Sequence, residues 1–339
     1  MFFSSTYINL KKRVKHLDGL RGLAIIAVFG FHLFAIDPKS VFLSKIFIHG
    51  DLGVNLFFLI SGFVIFMSLN KSLNFLTFIK KRYFRLFPSM LFASLLYFFL
   101  FYPLDILTLV PGLTFVDPRI IHLITGTYTK EISVVFWTLF IEFNFYYIVG
   151  IAYFLFKERT GVFIGFLYFF YLMSKFLNLY FPFQIFFYFY ELGKLMGLAW
   201  FSWFATGIYI YNFISTKKIF YFYLACLFAF FSSLHLSAQY KDVSLFFWCI
   251  SINILFFLSF YIKNINFFFS NKFFLTFGLA SYPIYLIHYF LLFPIQSEFE
   301  NRFGIEFYIF YSFITFLGIS IIGYLLAKYY EPIFLIRKS

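Results

Sequence analysis

Residues 16–36 read HLDGLRGLAIIAVFGFHLFAI, and this segment is the strongest indication of the fold class. It is long and apolar enough to cross a bilayer as one helix, yet it contains Asp18, Arg21 and His32. Ionisable side chains are costly inside a membrane and usually face a cavity or a partner. At 100° per residue, the step from Arg21 to His32 closes three turns with about 20° of drift and about 16 Å of rise. The two side chains are therefore expected on one face at different depths.

The composition of the whole chain excludes a soluble protein. The chain has 339 residues, of which 63% are hydrophobic, 28% aromatic and 12% charged, and its mean hydropathy is +0.88. Soluble domains carry roughly half apolar and about a quarter charged residues. The remaining class is an all-α polytopic membrane protein, in which each spanning helix satisfies its own backbone hydrogen bonds. The net charge of +13 lies in short clusters between apolar segments, which indicates topology rather than nucleic-acid binding.

Apolar segments of bilayer length predict about ten transmembrane helices. They cover residues 18–37, 53–70, 89–104, 133–156, 162–180, 195–213, 219–237, 244–262, 273–293 and 305–328. The segments between them alternate in charge, and 19 of the 27 Lys and Arg residues fall on the side of both termini. The positive-inside rule then places both termini in the cytoplasm. We expect one membrane-embedded domain over residues 1–339, without an appended soluble domain.

The first span offers two candidate site residues. On its position alone, Arg21 best fits a cytoplasmic anchor that reaches the lipid headgroups, and the alternative is a functional position in register with His32. A histidine at membrane depth indicates a polar pathway, and the structural alternative is a neutral imidazole held between helices. Small residues in the same span, Gly19, Gly22 and Gly30, are expected to let another helix or a ligand approach closely.

Two further spans carry polar side chains among apolar ones. Glu142, in the fourth span, must be neutral, paired or hydrated, and it is a candidate for acid–base chemistry or for an interhelical hydrogen bond. The ninth span places Ser281, Tyr285 and His288 on one face, near Pro283, which is expected to interrupt the helix hydrogen bonds. A packing kink is the alternative interpretation of that face. No metal site is expected, because the two cysteines have no paired spacing.

The segment KSLNFLTFIKKRYFRLFP, residues 71–88, is the most basic part of the chain and is predicted as a cytoplasmic loop. Its candidate phosphate-binding residues are Lys81, Arg82 and Arg85. Arginine binds phosphate oxygens through two parallel N–H donors, so the cluster fits a nucleotide-like donor. The more common role of such a cluster is to hold anionic lipid headgroups.

Five blocks of the sequence together resemble the acyltransferase family 3 membrane proteins. The blocks are HLDGLRGLAIIAVFGFHL, GDLGVNLFFLISGFVI, FIKKRYFRLFP, FWTLFIEFNFYY and GLASYPIYLIH, and they follow one another in the order and spacing expected of that family. Its members O-acylate, usually O-acetylate, cell-envelope polysaccharides and other extracytoplasmic acceptors. The resemblance covers essentially the whole chain.

The resemblance implies roles for individual residues. Its Arg-x10-His signature falls on Arg21 and His32, and its basic donor motif falls on Arg82 and Arg85. Its Ser-Gly-Phe element begins at Ser61. Its Trp-Ser-Leu-x-x-Glu-x-x-Phe-Tyr block has threonine in place of the usual serine here, and it matches Trp137, Thr138, Leu139, Glu142, Phe145 and Tyr146. Asn55 stands where an acidic residue is common.

These matches imply an enzyme of the cytoplasmic membrane that uses acetyl-CoA and needs no metal. The acyl group would pass from acyl-CoA at Lys81, Arg82 and Arg85 toward His32, which would act as a general base or carry the acyl group itself. Glu142 would orient the imidazole, and the expected supporting residues are Asp18, Ser61, Trp137, Tyr146, Ser281, Tyr285 and His288.

The acceptor expected from the resemblance is a hydroxyl of O-antigen, capsule, exopolysaccharide or a lipid-linked sugar. Membrane lipids are further partners, and nucleic acid is not. The competing function is a proton-coupled transporter or flippase of an envelope precursor that uses His32, Glu142 and His288 as a relay. Transporters of that kind usually show internal symmetry with broken helices at matching places, and no such repeat is visible in the sequence.

Overall fold

The computed structural model describes residues 14–36, 39–101, 103–129, 132–181 and 183–334. It is 88% helical, and the described residues form no strand. These residues fall into two compact units. Unit 1 comprises Asn55–Arg82 and Leu139–Lys263, and unit 2 comprises Val14–Val54, Tyr83–Thr138 and the chain from Asn264 onward. The all-α fold class is therefore confirmed.

The described residues contain sixteen α-helices. In chain order they are α1 (Lys15–Gly30), α2 (Val41–Phe47), α3 (Gly53–Leu69), α4 (Phe75–Leu100), α5 (Leu109–Thr114), α6 (Pro118–Thr125), α7 (Trp137–Phe156), α8 (Thr160–Tyr180), α9 (Gln184–Leu195), α10 (Phe201–Thr216), α11 (Ile219–Tyr240), α12 (Val243–Leu258), α13 (Lys263–Phe269), α14 (Lys272–Phe303), α15 (Tyr308–Leu325) and α16 (Glu331–Phe334). Two π-helical turns, Phe31–Ala35 and Leu326–Tyr330, extend α1 and α15.

The helices are long and apolar enough for a multi-pass membrane protein. Within the described chain, seven helical stretches qualify as membrane spans by length and composition, or up to nine if each of two bent pairs counts as one span. Every segment predicted from hydropathy overlaps an α-helix. The count of ten spans and the cytoplasmic placement of both termini stay predictions.

Unit 2 is built on the contact between α1 and α14, where two glycines allow the backbones to approach. A Cβ atom at Gly22 would lie 2.2 Å from the carbonyl oxygen of Phe274, and one at Gly278 would lie 1.8 Å from that of Asp18. No larger residue fits either position without moving the backbone. The expectation that glycines of the first span admit a neighbouring helix is confirmed, and this contact brings His32 beside α14.

Unit 1 contains the packed set α8, α10, α11 and α12. Its interior is aromatic: the rings of Phe145 on α7 and Phe204 on α10 stack at 3.9 Å between centroids. Nearly all of α10 is buried, from Phe201 to Ile214. Because protein covers α10 on nearly all sides, it is the central helix of this unit.

The predicted loop at residues 71–88 is wrong for most of its length. Helix α4 begins at Phe75 and continues through Pro88 to Leu100. Proline removes one backbone donor, and membrane helices tolerate this loss because other groups compensate the freed carbonyl. The basic residues therefore lie on a helix. The segment between α4 and α7 includes the short helices α5 and α6.

Candidate active site

His32 lies on a π-turn that follows α1. The amide of Ile36 donates to the carbonyl oxygen of Phe31 at 3.3 Å, which closes a turn one residue wider than an α-turn. Such π-turns are rare and occur frequently at functional sites. The Nδ1 atom of His32 lies 2.9 Å from the carbonyl oxygen of Val28, one turn earlier. This contact fixes the orientation of the imidazole ring, which is partly buried.

His288 on α14 faces His32 within unit 2. Its Nε2 atom lies 3.3 Å from Nδ1 of His32, and the ring centroids are 5.0 Å apart at 65°. His288 is fully buried. Its Nδ1 atom lies 2.8 Å from the carbonyl oxygen of Tyr285 and 3.2 Å from that of Ile284. The structure therefore brings together two histidines that sequence analysis found separately.

The carbonyl partners determine where the protons of this histidine pair sit. A carbonyl oxygen only accepts hydrogen bonds, so both Nδ1 atoms carry the proton when the rings are neutral. His288 then presents a lone pair on Nε2, which accepts part of the Nδ1–H of His32. His32 keeps a lone pair on its own Nε2. That atom is the basic nitrogen of the pair. The Val28 carbonyl oxygen and Nε2 of His288 stabilise a positive charge on His32.

Two tyrosines that sequence analysis missed also position His32. The ring of Tyr289 meets the imidazole edge-on at 5.2 Å between centroids. The hydroxyl of Tyr308 donates to the carbonyl oxygen of Leu33, inside the π-turn. The π-turn gives no recognisable pattern in the sequence, so nothing there indicated that Leu33 needs a donor from elsewhere. Tyr289 follows His288 directly, and that adjacency is the only clue to it.

The remaining predicted residues of unit 2 on α7 and α14 have structural partners. Thr138 donates to the hydroxyl of Tyr285 at 2.9 Å, and Tyr285 donates to the carbonyl oxygen of Val135 at 3.1 Å. Ser281 donates to the Gly278 carbonyl on its own helix at 2.9 Å. These bonds hold the start of α7 against α14. Trp137, at the first position of α7, is half-buried.

Glu142 is the centre of a polar cluster in unit 1. One of its carboxylate oxygens, Oε1, accepts from Ser61 at 2.8 Å and from the hydroxyl of Tyr146 at 2.5 Å. Ser61 is 5% exposed. Three of the predicted site residues thus meet at one carboxylate. Glu142 and His32 belong to different units, and the expectation that the carboxylate orients the imidazole stays a prediction.

Arg21, in the first half of α1, forms an ion pair with Asp18. Its Nη1 atom lies 3.3 Å from Oδ1 of Asp18, with side chains 16% and 13% exposed. Arg21 stands eleven residues before His32 on the same helix, so the charge lies about 16 Å from the imidazole along the axis. The paired, largely covered guanidinium fits a positioning role near one end of the span.

The three predicted donor-binding residues lie on α4 with different exposure. Arg82 is 8% exposed, and its guanidinium lies over the ring of Phe78 at 5.5 Å. Lys81 and Arg85 are exposed and stand one turn apart on α4. Neither of these two makes a hydrogen bond to the described part of the chain. They are the two exposed cations of this cluster.

These features define a multi-pass membrane protein with a histidine pair buried among its helices. The family model described as an acyltransferase domain, that of acyltransferase family 3, matches residues 14–325, and the chain belongs to this family. No curated protein and no solved structure matches the chain. Family membership makes the protein a membrane acyltransferase, which confirms the resemblance drawn from the five sequence blocks.

Proposed function

We propose that the protein transfers an acetyl group from acetyl-CoA to a hydroxyl of a cell-envelope saccharide, with His32 as the general base. The observation that carries this proposal is the proton arrangement of the histidine pair. Both Nδ1 atoms are engaged by carbonyl oxygens, which leaves Nε2 of His32 as a lone pair at the end of a fixed ring. The match to the acyltransferase family model favours this function over the transporter alternative.

The chemical step follows from that lone pair. Nε2 of His32 takes the proton of the acceptor hydroxyl while the hydroxyl oxygen bonds to the thioester carbonyl carbon. The carbon–sulfur bond then breaks, and coenzyme A leaves as its free thiol after the sulfur takes the proton from Nε2, which restores neutral His32. During the step, His32 is an imidazolium. The Val28 carbonyl and Nε2 of His288 stabilise that charge, and they do so more strongly in a membrane interior than in water.

The donor is held by the basic residues of α4. Lys81 and Arg85 contact the phosphates of coenzyme A, and Arg82 supports them from its buried position over Phe78. Arg85 also lies near enough to Glu331 for an electrostatic interaction. Acetyl-CoA is a substrate that is consumed in each cycle.

The acceptor lies outside the cytoplasm, and the enzyme acts from the cytoplasmic membrane. Both statements follow from the family resemblance, and the excess of basic residues on the side of the donor motif of α4 supports a cytoplasmic position for that motif.

Sugar analysis of the envelope tests the acceptor. A strain without the gene is expected to lose O-acetyl esters from one polysaccharide, and a plasmid-borne copy is expected to restore them. Unchanged ester content in every envelope polysaccharide would overturn this acceptor class.

A further inference from the structure

Unit 1 contains a cavity of about 220 Å³ between α10, α11 and α12. An engineered protein cavity of 150 Å³ already holds a benzene ring, so this one accommodates several methylene groups. The acyl-transfer proposal uses none of its lining residues.

Small side chains create the space. Helix α11 turns Ala225, Cys226 and Ala229 toward the cavity, and these positions repeat on one face of the helix. Helix α10 contributes Thr206 and Ile210 from the opposite side. Aliphatic or aromatic residues of ordinary size at the three α11 positions would close the gap. The cavity therefore results from the small side chains in the sequence of α11.

The cavity opens toward the lipid-facing surface. Cys226 is exposed and Ile254 is 51% exposed, whereas Ala225, Ala229 and Thr206 are buried. Helix α11 is long and apolar enough to span a membrane. A ligand that enters past Cys226 and Ile254 comes from the bilayer, and the lining is almost wholly apolar. The chemistry of the opening fits an alkyl chain.

One buried polar atom in the lining makes the site more specific than a lipid crevice. Asn253 on α12 is 6% exposed, and its Nδ2 donates to the carbonyl oxygen of Cys249 at 2.8 Å. This bond identifies the other amide atom as oxygen. Oδ1 is buried and accepts no hydrogen bond from the described residues. The neighbouring hydroxyl of Thr206 donates to Ser202 instead.

We infer that this cavity binds a membrane amphiphile whose alkyl chain fills the space and whose hydroxyl donates to Oδ1 of Asn253. A buried acceptor without a donor is costly, so a ligand that supplies the donor is favoured over one that does not. The ligand class is a neutral, single-chain alcohol or a lipid with a free hydroxyl. The inference is independent of the acyl-transfer proposal.

The test uses two photoreactive probes on the full-length protein in lipid nanodiscs. One is dodecan-1-ol with a diazirine in its chain, and the other is its methyl ether, which has the same chain and no donor. We expect saturable labelling of residues 222–229 and 250–257, with the ether competing about tenfold more weakly than the alcohol. Unsaturable labelling, or equal competition by alcohol and ether, would overturn the inference.

Variants locate the two parts of the site. Asn253→Leu is expected to remove the preference for the alcohol while labelling by the ether persists. Cys226→Trp is expected to block labelling at the mouth, and Leu227→Trp, at an exposed position next to it outside the lining, is its matched control. A preference for the alcohol that survives Asn253→Leu would contradict the assigned acceptor. The comparison of probes on the unaltered protein decides the inference even where a variant folds poorly.

Discussion

Two backbone carbonyls decide what the histidine pair can do. The carbonyl oxygens of Val28 and Tyr285 accept hydrogen bonds from Nδ1 of His32 and of His288, respectively. Nε2 of His288 is therefore free of a proton and can accept from His32. His288 touches no reacting atom in the proposed step. It is a positioning residue that stabilises the charged form of His32.

Two amide variants of His288 separate its hydrogen bond to the Tyr285 carbonyl from its role as the acceptor that faces His32. His288→Asn keeps a donor for the Tyr285 carbonyl but removes the acceptor that faces His32, whereas His288→Gln places an amide oxygen near the lost Nε2. Hydrogen bonds to charged groups contribute about 1.5–3 kcal/mol, so kcat of the Asn variant should fall about 10- to 100-fold. The KM for acetyl-CoA should stay unchanged, and the Gln variant should keep more activity. Steady-state kinetics at matched protein amounts provide the measurement, and an Asn variant with wild-type kcat would contradict the role.

At the scale of residues, the sequence shows the charged and polar candidates for the site but not the contacts between them. His32 and Glu142 stood out because ionisable groups are rare in such apolar segments. The contact between His32 and His288 joins positions 256 residues apart, and no spacing rule predicts it. Tyr289 and Tyr308 were hidden among 27 tyrosines that mostly match the lipid environment.

Among the elements, α1 and α14 hold the histidine pair, and their glycines make the contact possible. Hydropathy predicted both helices, and the glycines of α1 predicted a close neighbour. The identity of that neighbour and the π-turn at Phe31–Ala35 depend on tertiary packing, which the sequence pattern does not reveal. The same holds for α4: the sequence predicted a loop over residues 71–88, whereas the helix begins at Phe75 and continues through Pro88.

A methyl group at the α1–α14 contact should disrupt unit 2. Gly278→Ala places a Cβ 1.8 Å from the Asp18 carbonyl oxygen, and the backbone must shift to relieve the overlap. We expect a loss of about 3 kcal/mol or more in stability, with reduced yield of folded protein. Gly318→Ala on α15 is the matched control, because its Cβ meets no atom within 4 Å. Thermal unfolding of the purified proteins in detergent measures the difference, and equal midpoints for the two variants would contradict the close approach.

The donor site on α4 is tested by charge removal at its exposed cations. The double change Lys81→Gln and Arg85→Gln should weaken coenzyme A binding by about 10-fold or more, since each residue contributes a charge-assisted contact to phosphate. Lys80→Gln, at an exposed position on the adjacent face of α4, is the control and should bind normally. Both variants leave the buried Arg82 in place, so insertion into the membrane is preserved. Calorimetric titration with coenzyme A distinguishes a phosphate site from a headgroup anchor, which would leave binding intact in all variants.

The distribution of Lys and Arg between the spans predicts the membrane topology of the whole molecule, which composition alone does not determine. An account in which donor and acceptor lie on opposite sides of the membrane requires the segment before α4 in the cytoplasm and the segment after α6 outside. Single cysteines at Leu73 and Tyr128, which are 91% and 79% exposed, report these sides.

The labelling experiment uses Cys226→Ala and Cys249→Ala as its background. Tyr128→Cys should react with an impermeant maleimide on intact cells or spheroplasts, and Leu73→Cys should react only after permeabilisation. The 19 to 8 bias in basic residues is the reason for this expectation. Reaction of both positions from the same side would contradict the predicted topology.

We claim that Nε2 of His32 acts as the general base for acyl transfer within the membrane. The most direct measurement is the transfer of radiolabelled acetyl from acetyl-CoA to an envelope saccharide fraction by purified protein in liposomes. His32→Gln keeps a hydrogen-bonding side chain of similar reach but offers no basic nitrogen, so the variant should insert and bind coenzyme A normally and transfer less than about 1% of the wild-type label. Wild-type transfer by folded His32→Gln protein would contradict the claim.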